Sequence, residues 1–464
     1  MFRLLLLAIC LCLNSIVWAQ WHCNPSTEDL LKLGFPVVEI QTVDNEEPTF
    51  TSVTPPEGAF GKGILSEKVP GRMTIVDAEG TQYDSGEYME DVSGITLKIR
   101  GNTSAYGNIK PYKINLQTKA DLLHRGDDET YADKDWILIN GDKMNTVVGF
   151  KVSELVGMSW TPAYKFVHVV LNGQFRGLYL LMESVKRNPR CRLNVDKESG
   201  YIFEHDAYWW KENVYLLSDA GRYYTIKYPK EDNQTKQRLH LLQKVINDME
   251  TSILTGSYES VIDTHSFARW LLAHDIIGNR DAAGSNIFFA KYDDTEDSKV
   301  TMPLLWDFDM TLSRPEEWAS IHTNTYGFFK DLLDSPNDGF KREYVELWNN
   351  RSDEIFTEML SFLYNLLSSA QLSNLEQSRQ LIMQLFDYED STWEEDIRYC
   401  ISWFEGRKEW LGTSIQQIEE NMLDGVTITT SSTVPTITYD LMGRPTKVGP
   451  KGIRVQQGRK YFSY

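Results

Sequence analysis

The run KFVHVVLNGQFRGLYLLME, residues 165–183, carries the clearest structural signal in the chain. Two apolar, strand-like stretches flank Asn172-Gly173, the dipeptide best suited to a type I′ turn, so the sequence predicts a β-hairpin from Lys165 to Glu183. Upstream the pattern stays short and β-like from Phe35 to about Leu116. Ile95, Leu97 and Ile99 alternate with Thr96, Lys98 and Arg100, the period of a strand with one buried face. Further strands are expected at Tyr112 to Leu116 and Trp136 to Ile139, and a helix at Asn145 to Val156. Downstream, after a strand at Tyr201 to Glu204, the chain turns helical. Leu239, Leu242, Val245, Ile246, Met249 and Ile253 recur at helix spacing, and Asp263 stands where an N-cap opens a helix through Ile277. From about Arg342 to Met422 nearly every residue fits a helix. The reading is α+β, with strands concentrated in the first half.

Charge narrows the function. The chain holds 66 acidic and 47 basic residues, a formal net charge of −19, which argues against nucleic acid or an anionic membrane as partner. Hydrophobic residues make up 41% and aromatics 12%, the composition of a globular protein. Arg3, the apolar run Leu4 to Cys12 and Val17-Trp18-Ala19 read as a signal peptide, residues 1–19, leaving Gln20 as the mature start. No later segment is apolar enough to span a membrane. Export to the periplasm, cell surface or medium is therefore expected. The mature chain keeps Cys23, Cys191 and Cys400, enough for one internal disulfide at most. Residues 20–425 are expected to form the main domain. A Ser/Thr-rich linker, Thr427 to Thr436, leads to a β-like tail ending at Tyr464.

The chemistry concentrates in Asn279-Arg280-Asp281, Asn286 and Trp306-Asp307-Phe308-Asp309. Between them, Asn286 to Lys291 and Val300 to Trp306 read as paired strands joined by the acidic loop Asp293 to Ser298. A loop centred near residue 295 sets Asn286 opposite Leu305, which gathers Asp281, Asn286, Asp307 and Asp309 at one end of the hairpin. Carboxylates with an amide oxygen are hard ligands of the kind magnesium takes, its other positions going to water and phosphates. An aspartate beside such an ion can accept the proton of an attacking hydroxyl. The order matches a phosphoryl-transfer layout: an Asp, an Asn five positions on, a strand pair, and an Asp next to Phe. The plainer reading is that these Asp and Asn residues cap the hairpin. In the first half, the turn Arg100-Gly101-Asn102-Thr103-Ser104 stands beside Lys110 and Lys113, and backbone donors with a lysine can cradle phosphates. No G-x-G-x-x-G or G-K-[ST] pattern accompanies it, so solvated surface lysines are the competing reading.

Taken together these segments resemble the CotH kinase family, named for a spore-coat protein. The resemblance runs in order through Phe35-Pro36-Val37-Val38, Arg100-Gly101-Asn102-Thr103-Ser104, Lys110-Pro111-Tyr112-Lys113, Asn172-Gly173, Gly177 to Glu183, Gly200 to Glu204, Asn279 to Asn286, and Trp306-Asp307-Phe308-Asp309. It implies a two-lobed atypical protein-kinase-like fold. A β-rich N-lobe to about Glu183 would grip nucleotide, and a helical C-lobe from about residue 200 to 425 would follow. By carry-over Lys113 contacts ATP phosphates, Asp281 is the catalytic aspartate, and Asn286, Asp307 and Asp309 hold Mg2+ or Mn2+. Arg100, Asn102, Ser104 and Lys110 would line the nucleotide, and Glu183 would end a strand where a kinase-like hinge meets adenine.

The implied activity is transfer of the ATP γ-phosphoryl to Ser or Thr hydroxyls of an exported protein. One departure concerns the helix from Asn145: where the family places an arginine this chain has Gly149, with Lys151 the nearest cation and Glu154 the candidate acid. The tail, with Tyr439 to Arg444 and Lys451-Gly452-Ile453, resembles those of exported proteins from Bacteroidetes-type bacteria. Two other functions compete. One is a catalytically weak CotH-like surface or assembly protein. The other is a glycan-acting hydrolase, whose sugar platforms would come from the chain's 13 Trp and 23 Tyr.

Overall fold

The computed structural model describes residues 24–423, apart from 60, 283 and 313–327, together with four short strands between 438 and 463. The expected signal peptide, Cys23 and the Thr427 to Thr436 linker lie outside the described residues.

The first half of the chain supplies β1 (Val37–Thr42), β2 (Phe50–Val53), β3 (Gly63–Ser66), β4 (Val69–Asp77), β5 (Gly80–Asp84), β6 (Ile95–Ile99), β7 (Tyr112–Ala120) and β8 (Asp133–Asn140). Helix α1 (Met144–Val156) follows, then the hairpin of β9 (Tyr164–Leu171) and β10 (Gln174–Glu183). That hairpin turns at Asn172 and Gly173, with φ of 50° and 70°, as an Asn-Gly type I′ turn requires.

The order β1-β9-β10-β8-β7-β6-β4 returns to β1, which closes a seven-stranded barrel, with β5 added at the free side of β4. Closure depends on β1, which runs antiparallel to β4 (Val37 opposite Val76) and parallel to β9 (Val37 opposite His168). Gly71 makes the first contact possible: a Cβ there would stand 2.6 Å from the Gln41 carbonyl oxygen.

Inside the barrel lie Ile95, Leu97 and Ile99 of β6 and Ile114 and Leu116 of β7, all buried. Their alternate neighbours Lys98, Arg100, Lys113 and Asn115 point outward and are half-buried. Strands β9 and β10 are covered on both faces because a helix packs outside them; His168 Nε2 of β9 and Ser378 Oγ of that helix are 2.9 Å apart.

The second half adds a five-stranded sheet of order β12-β13-β11-β14-β15, from β11 (Tyr201–His205), β12 (Tyr215–Leu217), β13 (Tyr223–Tyr228), β14 (Ile287–Lys291) and β15 (Val300–Thr301). Its helices are α2 (Lys236–Thr255), α3 (Thr264–Ile277), α4 (Gly339–Ser368), α5 (Ala370–Phe386) and α6 (Trp393–Leu423). Strands Thr438–Tyr439, Pro445–Thr446, Gly452–Gln456 and Arg459–Ser463 pair into a small sheet of their own.

The two-lobed kinase-like division expected from the resemblance is not what forms. The first half is a closed barrel, the second carries a sheet of its own, and one continuous apolar core runs from Leu30 through α1, α3 and α4 to Ile415. One buried polar cluster fastens the halves together: Arg379 of α5 reaches Asp142 Oδ1 at 2.9 Å, and Trp393 Nε1 of α6 donates to the same oxygen at 3.0 Å. Within the second half, Tyr344 of α4 donates to Asp275 Oδ2 of α3 at 2.8 Å. The physical reason for the correction is that alternation along a strand reports one buried face, which an open sheet and a closed barrel share. Only the distant β1–β9 pairing distinguishes them. The α+β content itself stands.

Candidate active site

Helix α3 ends at Gly278, whose φ of 58° and backbone N–H to the His274 carbonyl form a left-handed C-cap. That turn delivers Asn279, Arg280 and Asp281 to the open end of the β14–β15 pair. The register of that pair is Ala290 opposite Thr301 and Lys291 opposite Val300. Continued along the same diagonal, that register would set Asn286 against Leu305, the pairing expected from the sequence, but the ladder does not extend that far. Beyond Thr301 the chain leaves the ladder, so the expected strand to Trp306 is realised only as Val300–Thr301.

The two arms meet. Asn286 Nδ2 donates to Asp307 Oδ2 at 3.3 Å, and the Asp309 backbone N–H faces Asp307 Oδ1 at 3.4 Å. Asn279, fully buried, locks both arms: its Nδ2 donates to the Asp307 carbonyl at 2.8 Å and its Oδ1 accepts from the Asp281 N–H at 3.1 Å. Asn286 and Asp307 both have a φ of 61°, in the left-handed region that most side chains avoid. Non-glycine residues held there cluster at functional sites.

The electrostatics fit an incomplete charge set. Burial, with Asp309 and Asp281 adding repulsion, pushes the Asp307 carboxyl up to about 6. Asp281 is raised for the same two reasons, burial and then Asp309. Arg100, at the end of β6, lies 5.9 Å over the Trp306 ring and supplies positive charge beside Asp307 and Asp309. Behind it, Lys227 of β13 pairs with Glu204 at 2.8 Å, and burial lifts Glu204 to about 7.

Among the described residues no three His, Cys, Asp or Glu side chains cage a cation by themselves. Magnesium does not need such a cage, since one or two carboxylates plus substrate phosphates and water suffice. Asp307 and Asn286, already in contact, with Asp309 two residues on, fit that demand.

The other residues named from the sequence have different partners. Lys113 sits outward on β7, with Nζ 3.6 Å from Asp135 Oδ1. Asn102 accepts from Lys211 Nζ at 2.6 Å, across to the turn after β11. Lys110 is committed to its own turn, donating to the Ala105 and Gly107 carbonyls at 3.1 and 3.4 Å and lying 5.7 Å over Phe50. Ser104 is exposed on that turn. Glu183, at the end of β10, is buried. It accepts from Arg125 Nη1 and the Ala163 N–H, both at 3.1 Å, and stands 3.5 Å from Arg192 Nε. Lys151 and Glu154 pair with each other at the surface, 3.4 Å apart.

Three contributors escaped the sequence reading. Asn279 reads as one member of a triplet, whereas its amide joins the arms. Gly149 reads as a departure, yet a Cβ on it would stand 2.2 Å from Phe308 Cδ1, so its missing side chain is the seat of Phe308. An interior helix glycine was the available signal for such a close approach. Tyr208 feels Asp281 and Asp307 and hydrogen-bonds Thr103, and nothing in its local sequence marked it.

A comparison with curated proteins finds no match for the chain. The family model described as CotH kinase protein matches residues 97–411, from β6 through the acidic hairpin end into α6. Covering well over half of the 464 residues and every element that builds the site, that match establishes that the chain belongs to the CotH kinase family, a family of kinase-like phosphotransferases.

Proposed function

We propose that the protein is an exported, metal-dependent kinase that moves the γ-phosphoryl group of ATP to a Ser or Thr hydroxyl of another exported protein. The observation that carries this reading is the meeting of Asp281, Asn286, Asp307 and Asp309 beside Arg100. In it, Asp281 takes the proton of the acceptor hydroxyl as the new O–P bond forms and the bond to the bridging oxygen breaks, releasing ADP. Burial and Asp309 raise its pKa, which makes it a better proton acceptor than an exposed aspartate. Arg100 offsets charge on the phosphoryl oxygens. Asp307 and Asn286, with Asp309 adjoining, hold a divalent ion, which when bound neutralises polyphosphate charge. Export rests on the leader-like first 19 residues.

Incubation with γ-labelled ATP, magnesium or manganese, and a mixture of exported proteins tests the reading. Labelled acceptor with the wild type and none with Asp281→Asn supports it. Nucleotide binding without any transfer would instead favour the surface or assembly role, and sugar release a hydrolase.

A further inference from the structure

Lys98 occupies the middle of the outward face of β6, and both of its cross-strand neighbours are lysines. The β6–β7 register sets Lys98 directly opposite Lys113. The β4–β6 register, Val69 opposite Leu97 and Pro70 opposite Thr96, carried one step further sets Lys68 opposite Lys98 on the other side. Lys113 of β7, Lys98 of β6 and Lys68, one residue before β4, thus stand in one row. Like charges directly opposite in an antiparallel pair oppose folding, so such a row is an arrangement that sheets avoid unless something answers it.

The fold answers it only at one end. Lys113 has Asp135 at 3.6 Å, but Asp135 is shared with Lys186 and with Asn115 Nδ2 at 3.1 Å. Lys98 is half-buried, and among the described residues neither it nor Lys68 makes a hydrogen bond or ion pair. Among the described residues the carboxylate that acts on Lys98 is Glu212, and burial together with Lys113 and Lys68 outweighs it, holding the Lys98 ammonium below its ordinary pKa. Lys211, tied to Asn102, adds positive charge from the facing turn.

The row also points somewhere. Arg100 follows Lys98 by two residues on the same strand face, roughly 6.6 Å further along. It leads to Trp306 and Asp307.

We infer that Lys98, flanked by Lys68 and Lys113, grips the polyphosphate of the bound nucleoside triphosphate and lays it along β6, with its terminal phosphoryl toward Arg100 and Asp307. The inference rests on the phosphotransferase reading and adds to it the anchoring lysine. Lys98 and Lys68 carry the grip together with Lys113, whose charge Asp135 partly satisfies.

Inorganic tripolyphosphate is the probe, titrated calorimetrically into the full chain with magnesium present. Lys98→Gln should weaken its binding at least tenfold while Lys98→Arg retains it, and ligand-free Lys98→Gln should melt no lower than the wild type. Wild-type affinity in Lys98→Gln, or no tripolyphosphate binding by the wild type, overturns the inference. The two readings fail separately. Labelled ATP transfer that survives Lys98→Gln unchanged removes the grip and leaves the kinase. Tripolyphosphate binding lost with Lys98, in a wild type that transfers nothing, keeps the grip and removes the kinase.

Discussion

Phe308 lies where a side chain at position 149 would be: a Cβ on Gly149 would meet Cδ1, Cε1 and Cγ of its ring at 2.2 to 2.5 Å. Phe150, the next residue of α1, closes the seat edge-on with ring centroids 5.4 Å apart. Asn145, one turn earlier, donates to the Phe308 and Thr311 carbonyls at 3.3 and 3.0 Å. Helix α1 therefore sets the position of the whole Asp307-Phe308-Asp309 segment.

Gly149→Ala tests this coupling. Alanine gains about 1 kcal/mol of helix propensity over glycine, but overpacking a filled core costs about 1–3 kcal/mol. The expected result is a net loss of stability together with a larger fall in phosphoryl transfer, because moving Phe308 moves its two aspartate neighbours. A variant with raised stability and unchanged transfer would show that Phe308 yields without disturbing them.

Asp307→Asn should stabilise the metal-free protein. The folded carboxyl titrates near 6 against an ordinary value of 3.8, so its ionised form costs stability at neutral pH. The gain from Asn, about 1–2 kcal/mol after allowing for partial exposure, is full above pH 6 and fades as pH falls toward 3.8, below which both states are protonated. Denaturant midpoints at pH 4 and pH 8 measure it. Equal midpoint differences at the two pH values would contradict the assigned burial and repulsion.

Asn279→Ala removes both halves of the lock between the arms. The Asp307 carbonyl and the Asp281 N–H lose their partners, a cost of about 1–3 kcal/mol for buried groups. Melting and transfer should both fall, and adding magnesium should restore less of the melting temperature than in the wild type. Full restoration would mean that the ion alone aligns the arms.

Two buried histidines predict acid sensitivity. Burial lowers His168 to about 4 and His274 to about 3, and neither His274 nitrogen has a partner among the described residues. Their folded pKa values lie below the unfolded 6.5, so the stability they confer is full above pH 6.5 and is lost as pH falls toward 4. Each contributes up to about 1.4 kcal/mol per pH unit in that window. Glu204, lifted to about 7, pulls the other way by taking a proton in the folded state. His274→Phe should flatten the loss between pH 6.5 and 4, and an unaltered pH profile would show that His274 is protonated without unfolding.

Local elements were legible in the sequence because their signals are local. Asn172-Gly173 marks its hairpin, the Ile95 to Arg100 alternation marks β6, and the apolar spacing from Leu239 marks α2 within a few residues of its bounds. The acidic hairpin end was legible too, because a loop centre near 295 determines what lies opposite Asn286. Barrel closure was not, since the pairing of Val37 with His168 joins segments with no mutual signature in sequence. The role of Gly149 was hidden for the same reason: what it accommodates is 159 residues away in the chain. Glu183 shows the limit from the other side. Its partners, Arg125, Arg192 and the Ala163 N–H, are brought in by other segments of the chain and leave no mark near Glu183 in the sequence.

Binding of manganese together with ATP, followed by the paramagnetic signal of the bound ion, tests the acid cluster most directly. The account predicts one ATP-dependent ion in the wild type, lost in Asp307→Asn, weakened in Asn286→Ala and retained in Lys151→Ala. An ion held with equal affinity after Asp307→Asn and Asn286→Ala would place the metal elsewhere and contradict the account.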